Sequence, residues 1–99
     1  MPGPGHALIG SEELEQVIEV MLSGHVFRYG DLKDPKYTHK VYTFEKELAK
    51  RCSVKHALAV TSGSAALMCA LKAINLQPGD EVIVPAYTFI ATYSSIIFC

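Results

Sequence analysis

His56-Ala57-Leu58-Ala59-Val60-Thr61-Ser62-Gly63-Ser64-Ala65-Ala66-Leu67 decides how this sequence of 99 residues is read. Its first five residues are short and mostly apolar, the pattern of a buried strand. Thr61–Ser64 is a turn of small hydroxyl residues and Gly, and an Ala- and Leu-rich helix is expected over about residues 65–75. Further on, Gln77-Pro78-Gly79-Asp80 places Pro and Gly where a tight turn wants them. Glu81-Val82-Ile83-Val84 reads as a second strand, ended by Pro85. Thr88 stands where it can cap a helical pattern running through Phe89, Ile90, Tyr93, Ile96 and Ile97.

Upstream, Pro2, Gly3, Pro4 and Gly5 give an expected flexible arm over 1–10. Helices and a loop are expected over 11–55. Ser11 is a candidate helix cap, with Glu12 and Glu13 at the positive end of the dipole. Leu14, Val17, Ile18, Met21 and Leu22 recur at helical spacing, and Gly24 is a candidate stop. Residues 25–38, with Gly30, Asp31, Asp34 and Pro35, read as a long loop. A second helix fits 40–51, where Val41, Phe44, Leu48, Ala49 and Cys52 share a face and Glu47 with Arg51 makes an i,i+4 pair. The order α-α-β-α-β-α argues for an α/β protein with a parallel sheet.

Charge is unevenly spread. Residues 1–55 hold eight acids and eight bases, while 56–99 hold only Lys72, Asp80 and Glu81. The second stretch therefore reads as the centre of a larger structure, buried on more than one face. The sequence stops in the apolar run Ser94-Ser95-Ile96-Ile97-Phe98-Cys99, so we expect it to be the front of something longer. The formal net charge of −1 gives no electrostatic reason to expect nucleic acid or an anionic membrane as a partner. No apolar run approaches the ~20 residues of a membrane span, and the N-terminus lacks the pattern of a signal peptide. Cys52, Cys69 and Cys99 are odd in number and widely spaced. They argue against a disulfide scaffold or zinc site and for a reducing, cytoplasmic compartment. His6, His25, His39 and His56 lack ligand spacing, so no metal site is expected.

The turn at 61–64 carries the chemistry. The first N–H groups of the following helix have no intrahelical acceptor and lie at its positive end. Gly63 lets a ligand approach the backbone and Ser64 adds a hydroxyl, which together make an anion or phosphate seat without a Lys or Arg. The plainer reading is an ordinary capped junction. No G-x-G-x-x-G or Walker pattern is present. The second candidate is Val84-Pro85-Ala86-Tyr87-Thr88-Phe89, at the carboxyl end of the expected second strand, where α/β sheets bind ligands. Phe89 there is placed to stack on a flat heteroaromatic ring, although a lone Phe is more often core.

These two segments in register, with Leu76-Gln77-Pro78-Gly79-Asp80 between them and Ile90-Ala91-Thr92 after, resemble the DegT/DnrJ/StrS family. These are pyridoxal phosphate (PLP)-dependent sugar aminotransferases. Thr43-Phe44-Glu45-Lys46-Glu47-Leu48-Ala49 and Ser23-Gly24 add to the resemblance, which covers roughly residues 8–99. It implies that 56–99 begins the large, PLP-binding α/β domain of an aspartate-aminotransferase-like (fold-type-I) enzyme, truncated here. It implies that Gly63, Ser64 and Ala65 cradle the PLP phosphate and that Phe89 stacks on the pyridine ring. Ser64 stands where the family more often has Thr, which keeps the hydroxyl. The stretch Phe27-Arg28-Tyr29-Gly30 resembles a subgroup with a longer loop. Arg28 and Tyr29 are candidates to reach a substrate or a partner subunit, against the plainer reading of a solvated Arg beside an aromatic.

PLP chemistry also needs a lysine to hold the cofactor and move a proton, and an acid at the pyridine nitrogen. The resemblance puts both beyond residue 99. None of the seven lysines, Lys33, Lys36, Lys40, Lys46, Lys50, Lys55 and Lys72, has the family's lysine context, so no catalytic residue is expected here. The family's sheet also separates the strands expected at 56–60 and 81–84, leaving open edges. Ordering a chain of this size costs on the order of 150 kcal/mol, so the isolated chain is expected to be unstable or molten.

The implied parent moves an amino group from glutamate or glutamine to a nucleotide-sugar, sugar or cyclitol ketone, and works as a homodimer. A PLP-dependent sugar dehydratase of the same family is the alternative within the enzyme class. Outside that class stand a non-catalytic interaction module that docks on a full-length relative and an inactive gene fragment.

Overall fold

The computed structural model describes residues 3–99, so Met1 and Pro2 of the expected arm lie outside the described residues. The chain forms two compact units, one ending at Ala57 and the other spanning Leu58–Cys99.

In the first unit, Pro4–Leu8 makes one stretch of 3-10 helix before α1, Ser11–Ser23. Gly10, not Ser11, occupies the cap position, and its N–H donates to Glu13 Oε2 at 2.7 Å. This is the half of a capping box that the residue three places on supplies. The hydrogen bond from Gly10 holds the Glu13 carboxyl below the ordinary carboxylate range. Gly24 ends α1, donating to the Met21 carbonyl at 3.3 Å. α2 spans Lys40–Arg51, the range the periodicity predicts. Ser53 stops it with φ of 53°, and Val54 N–H closes back onto Ala49 O at 2.9 Å. Donors that outrun the helix serve its last carbonyls in this way. The expected Glu47–Arg51 pair is not formed among the described residues. Instead Lys40 Nζ ties α2 to α1, donating to Gln16 Oε1 at 2.6 Å and Glu19 Oε2 at 2.5 Å.

In the second unit, α3 (Gly63–Ala73) packs on α4 (Ala91–Ile97). Ala91 and Ser95 are buried, and the Ser95 hydroxyl donates to Ala91 O at 2.6 Å. The Gln77–Asp80 turn forms as predicted. Asp80 N–H reaches Gln77 O at 3.0 Å, and Gly79 takes φ of 99°, which a side chain would resist. Thr88 does not cap α4. That helix starts at Ala91 with no side-chain cap, and Thr88 Oγ1 lies 3.0 Å from Thr92 Oγ1.

The expected α/β architecture, the start of a fold-type-I domain, is overturned. Among the described residues there is no strand, and the chain is an all-helical fragment with neither a sheet at its core nor strands at 56–60 and 81–84. The cause is physical. A helix completes its hydrogen bonds within its own segment, whereas a strand needs a neighbour to complete its ladder. Neither apolar segment forms a strand among the described residues. Two of the side chains expected in a core face water: Leu58 is 62 % exposed and Ile83 fully exposed.

Candidate functional site

Gly63, Ser64 and Ala65 form the first turn of α3. Ser62 precedes them in an extended conformation, and its Oγ accepts from Ala65 N–H at 3.1 Å. The Ser62 carbonyl accepts from Ala66 N–H at 3.0 Å. Ser62 is thus the helix cap, a role the sequence reading did not give it. The signal was present: a Ser directly before the helical run is the preferred capping residue. With Ala65 and Ala66 served, Gly63 and Ser64 are the first-turn positions whose N–H groups have no acceptor within the helix. They point out of its positive end.

A Cβ placed on Gly63 would meet nothing within 4 Å. The fold therefore does not require a glycine there, and the space in front of its backbone is open to a ligand. The fit to a phosphate ester is good on this count: two amides, the Ser64 hydroxyl position and a dipole end, with no side chain in the way. Phe89 lies just before α4, with its carbonyl accepting from Thr92 N–H at 3.0 Å. Its side chain is 76 % exposed, outside the packed interior. It belongs to the same unit as the turn, and no hydrogen bond or ring contact joins them among the described residues.

In the first unit, the loop at 25–38 is a built structure. Tyr37 is its centre, at 6 % exposure. The Tyr37 hydroxyl donates to the Arg28 carbonyl. Its ring lies so close to Gly30 that a Cβ there would come within 2.7 Å of two ring atoms. Turns at Asp31–Asp34 and Asp34–Tyr37 shape the rest, and His25 approaches Asp34 at 3.6 Å. The Arg28 guanidinium pairs with Glu45 of α2. Sequence reading named Arg28 and Tyr29 but missed Tyr37. A single aromatic in a polar loop downstream of a Gly was the available cue.

Among the described residues, no group of three His, Cys, Asp or Glu side chains is placed to hold a metal ion. No helix is long and apolar enough to cross a membrane.

Comparison with known proteins settles the family. The family model for DegT/DnrJ/EryC1/StrS aminotransferases matches residues 7–99. The chain belongs to this aminotransferase family. It is 47 % identical over 90 residues to the spore coat polysaccharide biosynthesis protein SpsC of Bacillus subtilis (strain 168), covering 91 % of this chain and 21 % of that protein. It is 49 % identical over 59 residues to a GDP-perosamine synthase of Caulobacter vibrioides, covering 60 % of this chain and 16 % of that one. It is 32 % identical over 96 residues to a Streptoalloteichus tenebrarius protein named for L-glutamine:3-amino-2,3-dideoxy-scyllo-inosose aminotransferase activity, covering 97 % of this chain and 22 % of that one. The chain thus spans about a fifth of the length of these relatives. No solved structure matches it. Matches of 90 and 96 residues leave at most nine of the 99 unmatched, so they run through the loop at 25–38. A match of 59 residues need not.

Proposed function

We propose that this chain supplies the cofactor-phosphate end of a PLP-dependent aminotransferase. Its whole polypeptide would pass an amino group from glutamate or glutamine to a keto-sugar or cyclitol ketone. The observation that carries the reading is the Ser62–Ala65 turn, open in front of Gly63, inside a chain that belongs to this family. Gly63 and Ser64 would hold the phosphate through their amides, with the Ser64 hydroxyl beside them. Ser62 keeps the turn in shape by occupying the Ala65 N–H. Phe89 would offer its exposed ring to the face of the pyridine. Bound PLP supplies an electron sink for chemistry at the carbon bearing the nitrogen. The residues of this chain bind and orient it.

The names of the two relatives matched through the loop, a polysaccharide biosynthesis protein and an inosose aminotransferase, support a polyhydroxylated ketone as acceptor. Homodimer formation and a cytoplasmic location belong to the same proposal. The latter is supported by three unpaired cysteines.

The test is a nuclear magnetic resonance titration of the chain with pyridoxal phosphate and, separately, with pyridoxal. The phosphate ester should move the Gly63 and Ser64 amide signals, and pyridoxal should leave them in place. Equal shifts from both, or none from either, would sink the reading.

A further inference from the structure

Where the chain leaves α2 it turns back on itself. Ser53 takes φ of 53°, and the Ser53 and Val54 N–H groups donate to Lys50 O at 3.1 Å and to Ala49 O at 2.9 Å. The residues that follow meet α2 across a depression of about 200 Å³, lined by Tyr42, Glu45, Lys46 and Ala49 of α2 and by Lys55 and His56. All of these residues belong to the first unit. We propose that this depression binds a phosphate dianion, free or as a monoester. The site is separate from the Gly63–Ala65 turn and does not depend on the cofactor reading.

Three features carry it. First, the charge of the lining is unbalanced. Its one acid, Glu45, is already met by the Arg28 guanidinium. Among the described residues neither Lys46 nor Lys55 makes an ion pair. Two ammonium groups without a carboxylate between them match a doubly charged oxyanion, and lysine binds phosphate as a point charge. Lys50 and Arg51, in the last turn of α2, offset the negative end of its dipole beside the site. Second, the lining is rich in donors. Each ammonium offers three N–H groups, and the His56 imidazole and the Tyr42 hydroxyl add to them, whereas phosphate oxygens accept. Third, the depression is held in shape. The Lys46 Nζ lies 5.4 Å from the centre of the Tyr42 ring, a contact that places an ammonium without neutralising it. Ala49 is buried at 8 % exposure, and its short side chain leaves the room. The volume lies below the ~300–1,000 Å³ of pockets that enclose drug-sized ligands, in keeping with one phosphate group rather than an organic cofactor.

The probe is inorganic phosphate, titrated into the 99-residue chain at neutral pH and constant ionic strength and followed by nuclear magnetic resonance. Binding should move the Lys55 and His56 amide signals and the Tyr42 ring signals together, with one midpoint. Lys46→Gln and Lys55→Gln should each weaken it about threefold, within the range of exposed ion pairs. Lys36→Gln, exposed in the loop outside the depression, should leave it unchanged. Acetate, with a single charge, should move these signals less at equal concentration. Glycerol 3-phosphate names the source: tighter binding than inorganic phosphate marks an ester, weaker binding marks the free ion, and either upholds the site. The proposal is overturned if phosphate moves none of the signals, if acetate moves them equally, or if Lys36→Gln weakens binding as much as Lys55→Gln. It is overturned too if the Val54 amide exchanges at an unprotected rate, because the turn that forms the depression is then absent. Each of these failures leaves the response of Gly63 and Ser64 to pyridoxal phosphate untouched, and loss of that response leaves this site standing.

Discussion

Two glycines show how one residue type takes opposite roles. Gly63 faces open space, so Gly63→Ala meets no steric objection from the fold. It should leave α3 unchanged or firmer by up to ~1 kcal/mol, because Gly carries the larger entropy cost in a helix. The same methyl would stand where a phosphate oxygen approaches the amide. The expected outcome is an unchanged or raised helix signal by circular dichroism, with weaker pyridoxal phosphate binding. Gly30 faces the Tyr37 ring, and Gly30→Ala forces a carbon to within 2.7 Å of it. Overpacking of this kind costs roughly 1–3 kcal/mol. It should appear as faster hydrogen exchange at the Tyr37 amide, which is otherwise held by the Asp34 carbonyl at 3.1 Å. In the sequence Gly63 stood out as a place where a ligand can approach the backbone, whereas Gly30 was simply a Gly in a turn-rich loop.

At the scale of single elements, the helices were legible because each completes its own hydrogen bonds. α2 falls on the predicted range, and α3, at 63–73, starts two residues ahead of the expected 65. The start of α1 was legible only in part. The acidic first turn was read correctly, but the cap is Gly10. Its bond to Glu13 carries a pH prediction. The folded carboxyl titrates below its unfolded value, so α1 gains stability from the ionised form above the unfolded pKa. That gain disappears as the pH falls through the folded value. A carbon-13 titration of Glu13 should show a midpoint below that of an unstructured Glu peptide, and the Gly10 amide signal should move with the same midpoint. A Glu13 midpoint at the peptide value would contradict the cap.

For the molecule as a whole, burial is the governing quantity. The chain exposes 8642 Å², against roughly 5,500 Å² for a folded monomer of this mass. Much of the excess is apolar: the α1 stripe of Leu14, Val17, Met21 and Leu22, and Leu58, Ile83, Phe89 and Phe98 of the second unit. Few side chains are buried, with Tyr37, Ala49, Ala91 and Ser95 the chief ones. The isolated chain should therefore bind a hydrophobic dye such as anilinonaphthalene sulfonate and melt over a broad temperature range while keeping helical circular dichroism. A sharp, cooperative transition without dye binding would contradict this. Order should be densest where polar ties cross the first unit, at Arg28–Glu45, Tyr37–Arg28 and Lys40–Glu19. Amides at 28–45 are accordingly expected to exchange more slowly than those at 81–90.

By itself the sequence determined the helices α2 and α3, the Pro78-Gly79 turn, the small-residue turn before α3 and the family, because each is written in neighbouring residues. Tertiary structure alone decided two further things. The apolar segments at 56–60 and 81–84 form no strand among the described residues, since a strand depends on hydrogen-bond partners its own residues cannot supply. The loop at 25–38 becomes a built structure, since Tyr37 meets Gly30 and Arg28 meets Glu45 only after the chain has folded back on itself.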